Sequence, residues 1–284
     1  LQEMKGAGVE RSVGTYTAAI SACGQGSQPQ PHLALELLQE MKEGWMELGT
    51  ITYNAAIFAC SEGGLPERAL ELLQEMKGAR VELNTVTYTA AISACERGGQ
   101  PEWALELLQK MKDAGVKLSV GAYAAAISAC GQGSQPQPLR ALELLQEMKN
   151  AWMELGPLGT ITYNAAITAC TQGGLPERAL ELLREVKAAD VQLDSITYNT
   201  AVTACEKCRQ GEQALALLRE MAERNFRFDD HTQGVMMRSA EELMQERKGT
   251  QVEPEVAPTP PKRARTALEG PDSEADATFS ARTA

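Results

Sequence analysis

Apolar residues recur along this chain in pairs of short stripes, each with the spacing of an amphipathic helix. In residues 50–84, the first stripe repeats at intervals of three and four positions, which is typical of a helix with one buried face. Its members are Tyr53, Ala56, Ile57 and Cys60. The second stripe comprises Ala69, Leu70, Leu73 and Met76. Between them, Gly63-Gly64 is suited to ending one helix and Pro66 to opening the next, so the pattern predicts a helical hairpin.

The same hairpin pattern recurs with a basic period of 35 residues. One tyrosine marks the equivalent position of each unit, and the six are Tyr16, Tyr53, Tyr88, Tyr123, Tyr163 and Tyr198. Two units are longer because each carries an insertion rich in Gly, Gln and Pro, at 24–31 and 131–138, and the second also gains residues near 156–158. We therefore predict a block of three repeats that is duplicated once: 13–49, 50–84, 85–119, 120–159, 160–194 and 195–229.

These repeats predict an all-α fold. Neither helix of a hairpin can bury its apolar face alone, whereas stacking successive hairpins buries both, so we expect an α-solenoid of stacked helix-turn-helix repeats. Residues 1–12 are predicted to be the second half of a partial repeat, and the weak helical pattern of 230–248 predicts a capping helix. Residues 249–284 combine prolines with Ser, Thr and scattered charges, and we expect them to form a disordered tail.

Composition supports the helices but weighs against a nucleic-acid partner. Among 284 residues, 38 are acidic and 27 basic, giving a formal charge of −11, and such acidity ordinarily argues against nucleic acid. The longest apolar runs are only a few residues, so we expect no membrane span. Seven cysteines, an odd number, do not fit a secreted disulfide framework.

The 35-residue hairpin resembles the pentatricopeptide repeat family, in its P-type form. The matching segments of residues 50–84 are Thr52-Tyr53-Asn54, Gly63-Gly64, 69–73 and Glu75-Met76-Lys77, followed by a closing Val-x-Leu-Asn. The resemblance spans residues 1–229 and implies a right-handed superhelix. Tetratricopeptide repeats, the nearest rival, have a 34-residue period and a Trp-x-x-Leu-Gly-x-x-Tyr start that is absent here.

What the resemblance implies is binding of single-stranded RNA at about one base per repeat. A polar side chain on the first helix and the last residue of the repeat together meet one base edge, for which Asn and Thr supply donors and acceptors. Matching each repeat to the family's pattern assigns these base-specifying residues: Asn54 with Asn84, Thr89 with Ser119, Asn164 with Asp194, Asn199 with Asp229, and Thr17 with Gly49. In the family, Asn with Asn favours a pyrimidine, Thr a purine and Asn with Asp a uracil. The hypothetical target is 5′-N-Y-R-N-U-U-3′.

The resemblance also implies residues that sandwich the bases and residues that meet phosphates. The base-sandwiching residues are Ile51, Val86, Ile161 and Ile196. Glycine replaces them at Gly14 and Gly121, and the fourth repeat pairs Ala124 with Gly159, so we expect the first and fourth repeats to act as spacers. The phosphate-facing position is basic only at Arg97 and Lys207. So few cations predict modest affinity and a shallow salt dependence.

The acidity weakens this hypothesis without removing it, because most carboxylates fall on predicted second helices. Those helices face the convex side. Their charges lie farther from the groove than much of a Debye length, which is about 8 Å at physiological salt, so they are screened from it. The main alternative is an α-solenoid protein-binding scaffold that holds an extended peptide in its concave groove, which the acidity and the two spacer repeats favour. A third interpretation is a degenerate array whose RNA binding has been lost.

No catalytic or metal-binding constellation is evident in the sequence. Cysteines at one equivalent repeat position are expected to be small buried residues, and Cys205-x-x-Cys208 has no second pair to complete a zinc site. His32 and His231 are expected at the surface. We therefore predict a non-enzymatic protein with no catalytic residue, metal, cofactor or small-molecule substrate. Trp45 and Trp152, at the ends of second helices, are expected to pack between repeats.

The family also implies a cellular setting, namely RNA processing, stability or translation in the mitochondrion or chloroplast. Single-stranded RNA is the implied partner, with other RNA-processing proteins as further candidates. Lys262–Arg265 lie beside prolines and have the composition of a nuclear localisation signal, although a solvated charge cluster in a disordered tail is the favoured interpretation. The chain begins with Leu inside a helical pattern, so a targeting peptide is not visible.

Overall fold

A computed structural model describes residues 12–133, 135–152, 160–189, 193–235 and 237–238. The predicted partial repeat at 1–12 lies almost wholly outside these residues, as do most of the capping helix, the tail at 249–284, Gly159 and Lys262–Arg265. None of the described helices is both long and apolar enough to span a bilayer.

The described residues form twelve full helices and no strand, which confirms the all-α prediction. The first helices of the six hairpins are α1 Val13–Gln25, α3 Thr50–Glu62, α5 Thr85–Arg97, α7 Val120–Gln132, α9 Thr160–Gln172 and α11 Ser195–Lys207. The second helices are α2 Pro31–Glu43, α4 Pro66–Gly78, α6 Pro101–Asp113, α8 Pro138–Trp152, α10 Pro176–Ala188 and α12 Gly211–Glu223. Each first helix begins at the residue where a predicted repeat begins, and residues 230–235 start a further helix.

The helices are arranged in two layers. Each first helix packs against its own second helix and against the next first helix, and each second helix also packs against the next first helix. Successive second helices make no close backbone contact within the described ranges. Because the row of first helices is the more tightly packed, the stack curves with that row on the inside. This is an α-solenoid, as predicted.

Local capping explains where the helices begin. Asn84 accepts a hydrogen bond from the Thr87 amide at 3.1 Å, and the Thr87 hydroxyl accepts one from the Asn84 amide at 3.2 Å, a complete capping box. Ser119 and Asp194 cap α7 and α11 with the first of these bonds, each accepting a hydrogen bond from the backbone amide three residues later. Proline occupies the first position of five second helices, where its missing N–H would have no helical partner.

Small side chains allow the first helices to pack closely. Ala56, Ala91 and Ala126 are fully buried at equivalent positions, beside the buried cysteines of the same helices. Burial raises the pKa of Cys60 to about 11 and that of Cys95 to about 12, so both stay protonated thiols at neutral pH. The buried cysteines therefore act as small apolar residues within the stack.

Candidate nucleic-acid interface

A row of exposed β-branched side chains lies along the inner surface that the first helices form, which we call the inner groove. Ile51 is 77% exposed and Ile161 75%, although both belong to well-packed helices. Val86 and Ile196 are 60% and 61% exposed. These are the four predicted base-sandwiching residues, and one lies in each of repeats 2, 3, 5 and 6. Large apolar side chains repeated in this way at a surface point to a binding face.

Three residues further along each of these helices lies a half-buried polar side chain, at one of the predicted base-specifying positions. The Asn54 carbonyl oxygen accepts a hydrogen bond from the Thr87 hydroxyl of the next repeat at 2.7 Å. Asn164 accepts one from Thr197 in the same manner. The Asn199 carbonyl oxygen accepts one from the Thr232 hydroxyl at 3.1 Å. Each asparagine is therefore oriented by the following repeat.

The structure brings the members of four predicted pairs together, directly or through a threonine. The Asn164 amide donates to both carboxylate oxygens of Asp194, at 2.9 and 3.0 Å. The hydroxyls of Thr89 and Ser119 are 3.1 Å apart. The other two pairs meet through a threonine. Thr87 lies 2.7 Å from Asn54 and 3.1 Å from Asn84, and Thr232 joins Asn199 to Asp229.

The second member of each pair also has a structural task, because it caps the next first helix. Ser119 accepts a hydrogen bond from the Ala122 amide at 3.1 Å, and Asp194 one from the Thr197 amide at 2.9 Å. Asp229 accepts one from the Thr232 amide at 2.7 Å. Partial burial opposes ionisation of Asp229, but these hydrogen bonds and nearby His231 lower the pKa of its carboxyl overall.

The first and fourth repeats differ from this arrangement. Thr17 is within 2.9 Å of the Thr52 hydroxyl, but Gly49 offers it no side-chain partner. In the fourth repeat, Ala124 is buried and provides no acceptor. As a consequence, the Thr162 hydroxyl is the one buried side-chain polar atom without a hydrogen bond in the described part of the chain.

The two predicted phosphate-facing cations are already engaged within the protein. The Arg97 guanidinium lies 2.5 Å from the Glu62 carboxylate of the preceding repeat. The Lys207 ammonium donates to the backbone carbonyl of Thr171 at 2.5 Å. Glu96 lies beside Arg97 in the sequence, and burial raises the pKa of its carboxyl despite a hydrogen bond from Ser128. These two cations therefore add little net positive charge to the inner groove.

In the last two complete repeats, the predicted residues line a single cavity. It has a volume of about 250 Å³ and lies between α9 and α11. Ile196, Asn199, Lys207 and Asp229 all line it, together with Thr168 and Thr200. A sandwiching residue, both members of a base-specifying pair and a cation thus face one space.

Family profiles match most of the repeat region. The PPR repeat family profile matches residues 48–97, and the pentatricopeptide repeat domain profile matches 1–63. The PPR repeat profile matches residues 86–116, 161–191 and 196–226. The chain belongs to the pentatricopeptide repeat family. A comparison with curated protein sequences gives no significant match.

A solved structure of a pentatricopeptide repeat protein has the same architecture. The crystal structure of PPR10 from maize superposes with a TM-score of 0.61 at 26% identity, over 84% of this chain and 33% of that one. The PPR domain of Arabidopsis thaliana protein-only RNase P 1, solved in complex with tRNA, gives 0.43 at 14% identity, over 81% of this chain and 97% of that one. This chain thus spans about a third of the length of maize PPR10.

Sequence reasoning missed the threonines that orient the asparagines of these pentatricopeptide repeats. Thr87 and Thr197 are fully buried, and each contacts the asparagine of the preceding repeat. The sequence feature that could have indicated these threonines is the recurring Thr-Tyr-Asn or Thr-Tyr-Thr motif, in which a polar residue precedes a core tyrosine. The prediction that Trp45 packs between repeats was wrong, because its side chain is 95% exposed. The side chain of Trp152 lies outside the described residues.

Proposed function

We propose that this pentatricopeptide repeat array binds single-stranded RNA in its inner groove, with about one base per repeat. The observation that supports this most directly is the repeated set of an exposed β-branched residue and an adjacent polar pair. Family membership adds support, because the related maize protein PPR10 has been solved in complex with an 18-nt psaJ RNA element.

In this proposal each base lies between the β-branched residues of successive repeats. Aromatic stacking is worth about 1–3 kcal/mol per base, and contact with aliphatic side chains contributes less. The Asn199 amide nitrogen donates no hydrogen bond within the described residues, so it has two N–H groups to offer a base edge. Asn164 with Asp194 and Asn199 with Asp229 are the residue combination that the family associates with uracil. The proposed target remains 5′-N-Y-R-N-U-U-3′.

We propose that the protein acts through binding and carries out no chemistry of its own. An RNA segment held in the groove is masked from nucleases and from pairing, which would affect RNA processing, stability or translation. Following the family, we propose the mitochondrion or chloroplast as its location. Arg97 and Lys207 each have an internal partner, so we expect affinity to be modest at physiological salt.

An electrophoretic shift assay with random, U-rich and A-rich single strands, at low and physiological salt, tests the proposal. We expect U-rich strands to bind best. Asn164→Thr should move the preference at one position toward purine, whereas Glu181→Gln on the outer surface should leave it unchanged. An unaltered preference in the Asn164 variant would exclude side-chain readout at that repeat. Peptide selection by the inner groove without RNA binding would instead identify a protein-binding scaffold.

A further inference from the structure

A recurring carboxylate bridge joins neighbouring repeats on the outer surface of the solenoid. In the second repeat, Glu75 accepts a hydrogen bond from the Tyr53 hydroxyl at 2.7 Å and one from Lys42 of the preceding repeat at 2.7 Å. One carboxylate thus satisfies two donors, one from the core and one from the neighbouring repeat.

The same bridge occurs in other repeats. Glu147 accepts from Tyr123 and Lys112, both at 2.8 Å. Glu220 accepts from Tyr198 and Lys187, both at 2.6 Å. In the fifth repeat, Lys149 donates to Glu185 and its ammonium lies 5.4 Å from the Tyr163 ring centroid. The site for a carboxylate is therefore a regular feature of the array.

The third repeat has the donors of this bridge but not its carboxylate. Lys110 stands where the other repeats have glutamate, and it pairs instead with Glu106 on its own helix at 2.8 Å. Within the described residues, the Tyr88 hydroxyl and the Lys77 ammonium have no hydrogen-bond acceptor. Two donors that another repeat would point at one carboxylate thus face an open, solvent-filled space.

An open cavity of about 1000 Å³ lies at this position, between α4 and α6. Tyr88, Lys77 and Lys110 line it together with Trp103, Leu70 and Leu73. The corresponding cavity between α2 and α4, where the Glu75 bridge is intact, measures about 430 Å³. The missing bridge and the larger cavity therefore coincide.

Trp103 is a second departure from the repeat pattern, and it lines the same cavity. The equivalent positions of the second, fourth and fifth repeats hold Arg68, Arg140 and Arg178, each of which pairs with a glutamate on its own helix. Trp103 instead adds a large half-buried apolar surface beside Leu70 and Leu73. The third repeat thus combines an unoccupied carboxylate position with an aromatic wall.

We propose that this outer cavity binds an acidic peptide segment of a partner protein. One carboxylate of the peptide takes the place of the missing glutamate and accepts hydrogen bonds from Tyr88 and Lys77. A neighbouring apolar side chain of the peptide packs against Trp103 and Leu73.

The remaining charges of the cavity define which peptide fits. Glu106 is neutralised by Lys110, and Asp113 accepts a hydrogen bond from Gln109 at 2.8 Å. Two carboxylates in the wall disfavour a densely acidic segment, so the partner presents a single Asp or Glu flanked by apolar residues. A small organic acid would leave much of so open a cavity filled with water, whereas a peptide covers it.

The test is selection from a phage-displayed library of random dodecapeptides on the full chain, followed by fluorescence polarisation with the enriched peptides. We expect enrichment of one Asp or Glu next to Leu, Phe or Trp. Lys110→Glu rebuilds the bridge found in other repeats and should weaken binding at least tenfold, as should Trp103→Arg. Lys42→Gln, which breaks an intact bridge elsewhere, should leave the peptide affinity unchanged. Circular dichroism checks that every variant is folded.

Three outcomes would overturn the proposal. They are equal peptide affinity in the Lys110→Glu variant, equal affinity for peptides in which the acid is replaced by its amide, and displacement of the peptide by phenylacetate at similar concentration. RNA binding by the same variants is measured in parallel. Because none of the groove residues Asn54, Val86 and Thr89 lines the outer cavity, Lys110→Glu should leave RNA binding unaltered.

Discussion

At the scale of single residues, the groove depends on one hydrogen bond that passes from each repeat to the next. The asparagine that faces the groove accepts a hydrogen bond from the hydroxyl of the buried threonine in the following repeat, as Asn54 does from Thr87. The contact fixes the carbonyl end of the amide. It leaves the N–H groups of Asn54 and Asn199 for a ligand, whereas the Asn164 amide donates to Asp194. Where Ala124 replaces the asparagine, Thr162 loses its acceptor. Packing and recognition thus share one side chain.

The first prediction concerns this missing acceptor. Ala124→Asn should provide the Thr162 hydroxyl with the carbonyl oxygen that Asn164 gives to Thr197, because the two sites are equivalent in the repeat. A buried hydroxyl that gains a partner contributes about 1 kcal/mol, so we expect the free energy of unfolding to rise by that amount. Urea denaturation followed by circular dichroism measures it.

Thr162→Val provides the control for that prediction. Valine removes the unsatisfied hydroxyl, so it should leave the free energy of unfolding equal to or above that of the unaltered chain. In the valine background, Ala124→Asn should bring no gain. A similar gain in both backgrounds would mean that the asparagine stabilises the helix by some means other than Thr162.

At the scale of helices, the second helices are linked by charged side chains and not by close backbone packing. Glu220 receives hydrogen bonds from Tyr198 below it and from Lys187 of the preceding repeat. Burial opposes ionisation of Glu220, but Lys187 and Tyr198 outweigh it and lower the pKa of the carboxyl below 4.5. The same carboxylate raises the pKa of Tyr198, whose burial acts in the same direction. The bridge therefore requires an ionised glutamate.

A pH dependence of stability follows from this bridge. Because the carboxyl pKa is lower in the folded chain than in the unfolded one, the ionised group stabilises the fold above its ordinary pKa of 4.5. That contribution is lost as the pH falls below 4.5 and through the folded-state value. We expect Glu220→Gln to destabilise the chain at pH 7 and to do so progressively less as the pH falls below 4.5, measured as urea midpoints between pH 7 and pH 3. A midpoint difference independent of pH would contradict the prediction.

The helices could be predicted from the sequence, whereas the bridges between repeats could not. Tyr53, Ala56 and Ile57 recur at helical spacing, and Pro66 with the preceding glycines marks the turn, so the period alone places each helix. Which residues about 33 to 36 positions apart touch depends on how one hairpin is rotated onto the next. The pairing of Arg97 with Glu62 is set by that rotation, and the linear pattern does not contain it.

Part of the candidate site could likewise be predicted from the sequence, and part of it could not. The exposed row that includes Ile51 follows from position within the helix, because a residue on the face away from both neighbouring helices cannot be buried. That Asn54 is oriented by Thr87 required the packing of successive first helices. Trp45 was misjudged because its backbone adopts φ 52° after the end of α2, which turns the side chain outward. Only coordinates reveal that local conformation.

At the scale of the whole molecule, the charge of −11 is unevenly distributed between the two layers. Carboxylates such as Glu71 and Glu143 lie on second helices, where each pairs with an arginine of its own helix. The inner layer has few charges, and those it has are partly compensated, as with Glu62 and Arg97. An acidic chain can therefore keep most of its carboxylates on the outer layer, with few, such as Asp229, at the inner groove.

This distribution predicts that one charge change in the groove alters RNA binding more than the same change outside it. Glu62→Gln frees the Arg97 guanidinium, which can then contact a phosphate. For single strands each such contact changes the slope of log K against log salt by about −0.7, so the slope should steepen by about that amount and affinity at low salt should rise. Glu71→Gln, which breaks the outer ion pair with Arg68, is the matched control and should change neither quantity. Filter binding of a U-rich strand between 50 and 200 mM salt measures both variants, and equal small gains in the two would show that only net charge, and not Arg97, matters.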